Sequence, residues 1–366
     1  MRKHYIDNIR WITVVLVVIY HVIYMYNGVM EFAVIGPFQE VQYQDMFAYI
    51  MYPWFMVILF IISGMCARYY LEKHTIKEFI RNKTRHLLVP STIGLFAFHW
   101  ILGYYNMAIS GAFETMPNTI PKVILWLIMS LSGTGTLWYI QLLWLYCMIL
   151  AFVRKFEKGK LYRICQKTTP AVILLLGILV WISGLILNMP LITVYRFGIY
   201  GFSFFLGYFV FAHDNVVERL CKWWYLYAAG AIGLGIPYLW ISFGQDYTSG
   251  SILKSPLTVG YGWFVILTIF AVMKKWGNKQ NAFTAWMSAK NFGLYVFHYL
   301  PLAVVCFYMD QYGKIPAPVC YLIAAIASFA GGYLLYEIVS RIPVLRWCVL
   351  GIKKDKKIAK EKKNVS

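Results

Sequence analysis

The strongest constraint on this chain is a recurring pattern: runs of roughly 20 mainly apolar residues, each about as long as a helix that crosses the hydrocarbon core of a bilayer, joined by short polar segments. Ten such runs lie near residues 10–27, 47–66, 87–108, 136–153, 170–188, 195–212, 223–243, 256–273, 291–309 and 317–339. The 366 residues are 60% hydrophobic and only 13% charged, with a mean hydropathy of +0.61. A soluble domain carries about 25% charged residues, so there is too little charge here to cover a water-facing surface. The expected fold is therefore all-α and integral to the membrane, with ten transmembrane helices. A further apolar stretch at 121–131 is too short to cross and ends in Ser132-Gly133-Thr134-Gly135, which predicts a short re-entrant or half helix. The first apolar run is longer than the core of a signal peptide and lacks a small-residue cleavage site, so it reads as a retained span.

The net charge of +19 raises the question of nucleic acid. Its distribution answers it. With the N-terminus inside and ten crossings, 30 of the 34 Lys and Arg residues fall in cytoplasmic segments, and only Lys122, Arg196, Lys254 and Lys314 fall outside. That asymmetry is the positive-inside pattern, with both termini cytoplasmic; charge in short loops is not a nucleic-acid-binding face. The expected location is the plasma membrane, multi-pass. Residues 1–345 read as one membrane domain and 346–366 as a basic cytoplasmic tail that lies along the anionic inner leaflet. The seven cysteines form no CxxC pair and lie mostly in apolar runs, which predicts small buried hydrophobes rather than disulfides or a metal site. No P-loop, HExxH, GxSxG or dinucleotide-binding fingerprint is present.

Ionisable groups inside spans are costly and mark pathways or reaction centres. In the first span Arg10 and His21 are eleven residues apart, close to three helical turns at about 100° per residue, so they share one face about 16 Å apart along the axis. This sets a guanidinium at the cytoplasmic edge in line with an imidazole deep in the membrane. It suits a long substrate with a charged head in water and a reactive end within the bilayer. Histidine exchanges protons near neutrality and fits the reactive end; packing against a neighbouring helix is its alternative role. At the entry to the third span, Arg81, Lys83 and Arg85 can grip phosphates or simply express topology. His298 lies inside the ninth span and His99 in the third. Ser63-Gly64 closes the second, Tyr139 opens the fourth, and Glu337 and Arg341 are spaced to pair. Glu31, Glu40, Asp45 and Glu114 make the outer loops acidic, and nothing in their spacing selects one.

Taken in order, these elements resemble the acyltransferase-3 family of multi-pass membrane acyltransferases. Arg10 and His21 match its Arg/Lys-x10-His motif. Phe60-Ile61-Ile62-Ser63-Gly64 is similar to the motif ending its second helix, and Arg85-His86-Leu87-Leu88-Val89-Pro90 to its basic run into Leu-Leu-x-Pro. Leu137-Trp138-Tyr139 resembles the Leu-Trp-Phe element, and Tyr295 with His298 the Tyr-Leu-x-His signature. The resemblance covers essentially 1–345. Asn82 stands where the family often has the first Arg of an Arg-x-x-Arg, with Arg81 one place earlier.

The resemblance implies transfer of an acyl group, often acetyl, from cytoplasmic acyl-CoA as co-substrate to a hydroxyl of a cell-envelope glycan, lipid or related acceptor, without a metal. His21 and Arg10 are then the expected catalytic residues. Arg85, Arg81 and Lys83 would bind acyl-CoA, and Ser63, Tyr139 and His298 would support the site. The alternatives are a secondary transporter or exporter of a charged metabolite, which the absence of a repeated half argues against, and a membrane-bound O-acyltransferase of another fold, which lacks the Arg-x10-His start.

Overall fold

The computed structural model describes residues 3–352 apart from 31, 118, 190, 191 and 314. Helices dominate, and no strand occurs among the described residues beyond one isolated bridge between Asn188 and Arg196. Among the described residues, seven helical segments are long and apolar enough to span a bilayer: His4–Tyr24, Tyr43–Leu71, Ile76–Ile109, Gly135–Glu157, Asp214–Ser242, Pro256–Lys275 and Ala317–Arg341. An eighth is Ala282–Phe297 with Tyr299–Tyr312, bent by 49° at His298. Pro301 has no N–H to return to the Phe297 carbonyl, which weakens the ladder at that bend.

Seven or eight is fewer than the ten expected. The fifth and sixth runs form shorter helices, Pro170–Leu185 and Phe197–Phe211. Sixteen residues rise only about 24 Å, short of the roughly 30 Å core. Apolar runs measure hydropathy rather than helix, and residues 186–188 and 195–196 of these runs lie outside the two helices. The same distinction moves the first helix the other way. It begins at His4, with Asp7, Asn8 and Arg10 inside it, six residues before its apolar run. An 11-residue helix, Lys122–Ser132, occupies the stretch expected to be a half helix.

The bundle is held by close backbone approach as well as by aromatic packing. A Cβ on Gly64 would come within 1.9 Å of the Phe204 carbonyl oxygen, and one on Gly207 within 1.9 Å of that of Ile61. Only glycines let these two helices touch along their backbones. The last described helix, Pro343–Leu350, packs back on the third span: Cys348, Val349 and Leu350 are buried, and the Cys348 carbonyl oxygen lies 2.7 Å from where a Gly94 Cβ would stand. Packed structure thus continues to Leu350, and the basic run from Lys353 lies outside the described residues.

Charged side chains gather at one end of the bundle. There Lys3 pairs with Asp214 at 3.0 Å, and Lys274 lies 3.5 Å from Asp214 and 3.4 Å from Glu218. Glu337 pairs with Lys290 from the bent segment, and Arg341 reaches it only at 3.8 Å with a largely exposed side chain. The principal partner of Glu337 is thus a residue 47 positions away rather than the one four positions on.

Candidate active site

The first helix runs unbroken from His4 to Tyr24, so Arg10 and His21 lie on one side of it, near its opposite ends. Two cavities flank those ends. The one beside the helix start, about 720 Å³, is lined by Lys3, Asp7, Cys66, Tyr69, Lys73 and Asp214 among others. Arg10 abuts it through Cys66: its Nη2 donates to the thiol Sγ at 2.8 Å, and its Nη1 lies 3.8 Å from an Asp7 carboxylate oxygen. Tyr162 and His213 also line it, with ring centroids 3.8 Å apart, and the Arg68 guanidinium covers Tyr162 at 3.6 Å. The His213 Nε2 donates to the Tyr162 carbonyl at 2.8 Å, and burial lowers its pKa from the ordinary histidine value. A neutral ring is what such a stack with an adjacent arginine favours.

The second cavity, about 520 Å³, lies at the other end and contains His21 in its wall. Seven tyrosines line it (Tyr20, Tyr24, Tyr52, Tyr195, Tyr200, Tyr295 and Tyr299), with Trp138 and the hydroxyls of Ser132, Thr134, Thr136, Thr193 and Thr248. Among the described lining residues there is no Asp, Glu, Lys or Arg, and His21 is the one imidazole. Over these residues the wall is therefore neutral, aromatic and rich in hydroxyls, suited to a polyhydroxylated ligand, with one imidazole that can accept a proton.

The surroundings of His21 are specific. Its Nδ1 lies 2.8 Å from the Val17 carbonyl oxygen and 3.2 Å from Nε2 of His298. The two imidazole centroids are 5.0 Å apart, and Tyr299 meets the His21 ring edge-on at 5.0 Å. The bend at His298 turns that side chain toward the first helix. Tyr139 packs beside this end. Its hydroxyl shares a 2.8 Å hydrogen bond with Ser63 and lies 3.3 Å from the Leu59 carbonyl oxygen, while its ring packs 5.6 Å from that of Tyr295.

The structure thus brings His21 and His298 into direct contact and joins Ser63 to Tyr139. Arg81, Lys83 and Arg85 line neither cavity described. Arg81 is exposed, the Lys83 ammonium sits 5.6 Å from the centre of the Phe79 ring, and Arg85 Nη2 donates to the neighbouring His86 Nε2 at 3.0 Å. His99 is buried with no hydrogen-bond partner on either nitrogen among the described residues, and it too is away from both cavities. Asp45 accepts from the Gly28 amide at 2.9 Å, a structural use. Neither it, Glu40 nor Glu114 lines the His21 cavity, and Glu31 lies outside the described residues. Sequence reasoning passed over Cys66 as the partner of Arg10 and missed the tyrosine wall; the Tyr20-His21 and His298-Tyr299 pairs were its visible signals.

A family model described as an acyltransferase domain matches residues 3–337, nearly the whole chain. No curated protein and no solved structure matches the chain significantly.

Proposed function

The chain belongs to the acyltransferase-3 family and is a multi-pass membrane acyltransferase that transfers groups other than aminoacyl groups; on that premise we propose that its donor is cytoplasmic acyl-CoA, most simply acetyl-CoA, and its acceptor a hydroxyl of an envelope glycan or lipid. The observation that carries this reading is His21: one imidazole in a neutral, phenol-lined cavity, on the same helix as Arg10 at the opposite end.

In this reading the chain crosses the plasma membrane ten times, the shorter helices Pro170–Leu185 and Phe197–Phe211 crossing with the help of their flanking residues, and both termini are in the cytoplasm. Thirty of 34 basic residues then lie inside, which supports the orientation. The charged head of the donor meets Arg10 at the cytoplasmic end, with Arg85, Arg81 and Lys83 as further candidates on the approach. The extended pantetheine arm follows the first helix past Ser63 and Tyr139 and brings the thioester toward His21. The His21 Nε2 takes the proton of the acceptor hydroxyl as its oxygen attacks the thioester carbonyl. The carbon–sulfur bond then breaks, the proton passes to the departing thiolate, and ester and free CoA result. The wall of tyrosines and threonines holds the acceptor by ring faces and hydroxyls. Two-step transfer through an acyl-histidine uses the same nitrogen.

The test is purified protein reconstituted in lipid with radiolabelled acetyl-CoA and a panel of hydroxylated acceptors. Thioester cleavage coupled to product, abolished by His21→Ala in a variant that still inserts and elutes as the parent does, is the expected result. Undiminished transfer by that variant, or counterflow of an intact solute without thioester cleavage, would overturn the proposal.

A further inference from the structure

His298 is fully buried at the 49° bend, and its surroundings decide which of its nitrogens bears hydrogen. Its Nδ1 lies 3.0 Å from the carbonyl oxygen of Leu294 and 3.0 Å from that of Tyr295. A carbonyl oxygen only accepts, so Nδ1 is the donor, and in the neutral ring Nε2 keeps the lone pair. That lone pair meets His21 Nδ1 at 3.2 Å, while the Val17 carbonyl oxygen faces the same Nδ1 at 2.8 Å. Both neighbours of His21 Nδ1 are therefore acceptors. Nδ1 must carry the hydrogen, and the lone pair of His21 is left on Nε2. This nitrogen makes no hydrogen bond among the described residues, and it belongs to the side chain that lines the cavity.

We infer that His298 is a positioning residue acting through His21: a neutral histidine occupies the place that a carboxylate holds behind the base in many hydrolases. The inference rests on the reading of His21 as the base. Two consequences follow from the geometry. The Val17 carbonyl belongs to the helix of His21 and alone leaves the ring free to tilt; the second acceptor, from another helix, fixes its plane. When Nε2 takes a proton, the Nδ1–H of the imidazolium donates more strongly to His298, which is itself held by two carbonyls. The charge is met by a line of dipoles. A carboxylate there would bury a full charge in the membrane interior. The reverse assignment fails on geometry, since both nitrogens of His298 are engaged and it lines no part of the cavity.

The test uses the full-length reconstituted protein. His298→Phe keeps a ring of similar size without an acceptor, and His298→Gln returns an acceptor at similar reach. Phe is expected to lower kcat on the order of 100-fold, within the range attributed to general-base catalysis, with KM for donor and acceptor little changed, and Gln to recover most of that loss. Nitrogen-15 NMR of histidine-labelled wild-type protein should show His21 with a protonated Nδ1 and a bare Nε2. A His298→Phe enzyme within about threefold of wild type, a Gln variant no better than Phe, or a wild-type His21 protonated at Nε2 would each overturn the inference. If Phe fails to insert, the Gln variant and the wild-type tautomer decide. Retained activity in His21→Ala would instead sink the assignment of the base, and the NMR readout would still judge the histidine pair.

Discussion

The guanidinium of Arg10 donates to the thiol of Cys66 across 2.8 Å, and that thiol stands in the wall of the cavity at the start of the first helix. Arg10 is therefore held in place beside a cavity, between Cys66 and Asp7. A lysine at this position keeps the charge but loses the planar fork and its pre-organised donors. Arg10→Lys is expected to raise KM for the donor about 10-fold, the scale of one charge-assisted hydrogen bond, with a smaller change in kcat. Cys66→Ser, which keeps an acceptor, should stay near wild type. Initial rates against donor concentration separate the two, and an unchanged KM in Arg10→Lys would remove the guanidinium from donor binding.

Cys66 also offers a direct reading of occupancy. Cys147, Cys306, Cys320 and Cys348 are buried, whereas Cys66 is partly exposed on the cavity wall. A maleimide should label Cys66 in reconstituted protein, and saturating acyl-CoA should slow that labelling several-fold. Peptide mapping distinguishes it from Cys165 and Cys221, which are also partly exposed and should show no protection. Equal labelling of Cys66 with and without donor would place the donor elsewhere.

The helix that precedes part of the His21 cavity wall is seated through a contact between glycines. A Cβ on Gly103 would fall 1.6 Å from the Met129 carbonyl oxygen, and one on Gly133 would fall 1.9 Å from that of His99. The helix Lys122–Ser132 is thus seated directly on the third span, and Thr134 and Thr136, which follow it, line the cavity. Gly103→Ala must push that helix away, at a cost of about 1–3 kcal/mol as for other overpacked sites. The expected outcome is a lower unfolding temperature together with a higher KM for the acceptor and an unchanged KM for the donor. A stability loss without the acceptor effect would mean that this helix does not shape the acceptor cavity.

What the sequence makes legible here is what is local. Arg10 and His21 share a helix face because helical periodicity needs only the residues between them, and the unbroken helix His4–Tyr24 has that geometry. The pairing of His21 with His298 spans 277 positions, and no periodicity reaches so far. Glu337 illustrates the same limit: the pair with Arg341 that spacing offers is present at 3.8 Å, but the closer partner is Lys290 from another helix, which spacing cannot reach. Hydropathy finds apolar runs but not helix ends, so it starts the first helix six residues late and extends the fifth and sixth segments beyond the helices Pro170–Leu185 and Phe197–Phe211. Asp45 reads as one of several acids in an outer loop, yet it is buried, with one carboxylate oxygen accepting from the Gly28 amide.

Tyr139 offers a test that separates a structural from a functional role for its hydroxyl. Its hydroxyl bridges Ser63 and the Leu59 carbonyl, and its ring is wedged against Phe60 at 4.8 Å and Tyr295 at 5.6 Å. Tyr139→Phe leaves the ring contacts and removes only the hydroxyl. Ser63 lies one turn beyond Leu59 on the same helix, so its hydroxyl can turn back to that carbonyl and leave no buried acceptor unpaired. The expected stability loss is therefore only about 1 kcal/mol, that of one neutral hydrogen bond. If the hydroxyl also guides the donor arm toward His21, kcat/KM for the donor should fall about 10-fold or more, well beyond what so small a change in stability produces in a protein that remains folded. Thermal unfolding and initial rates measured on the same preparation decide it: matched small losses in both would confine Tyr139 to packing.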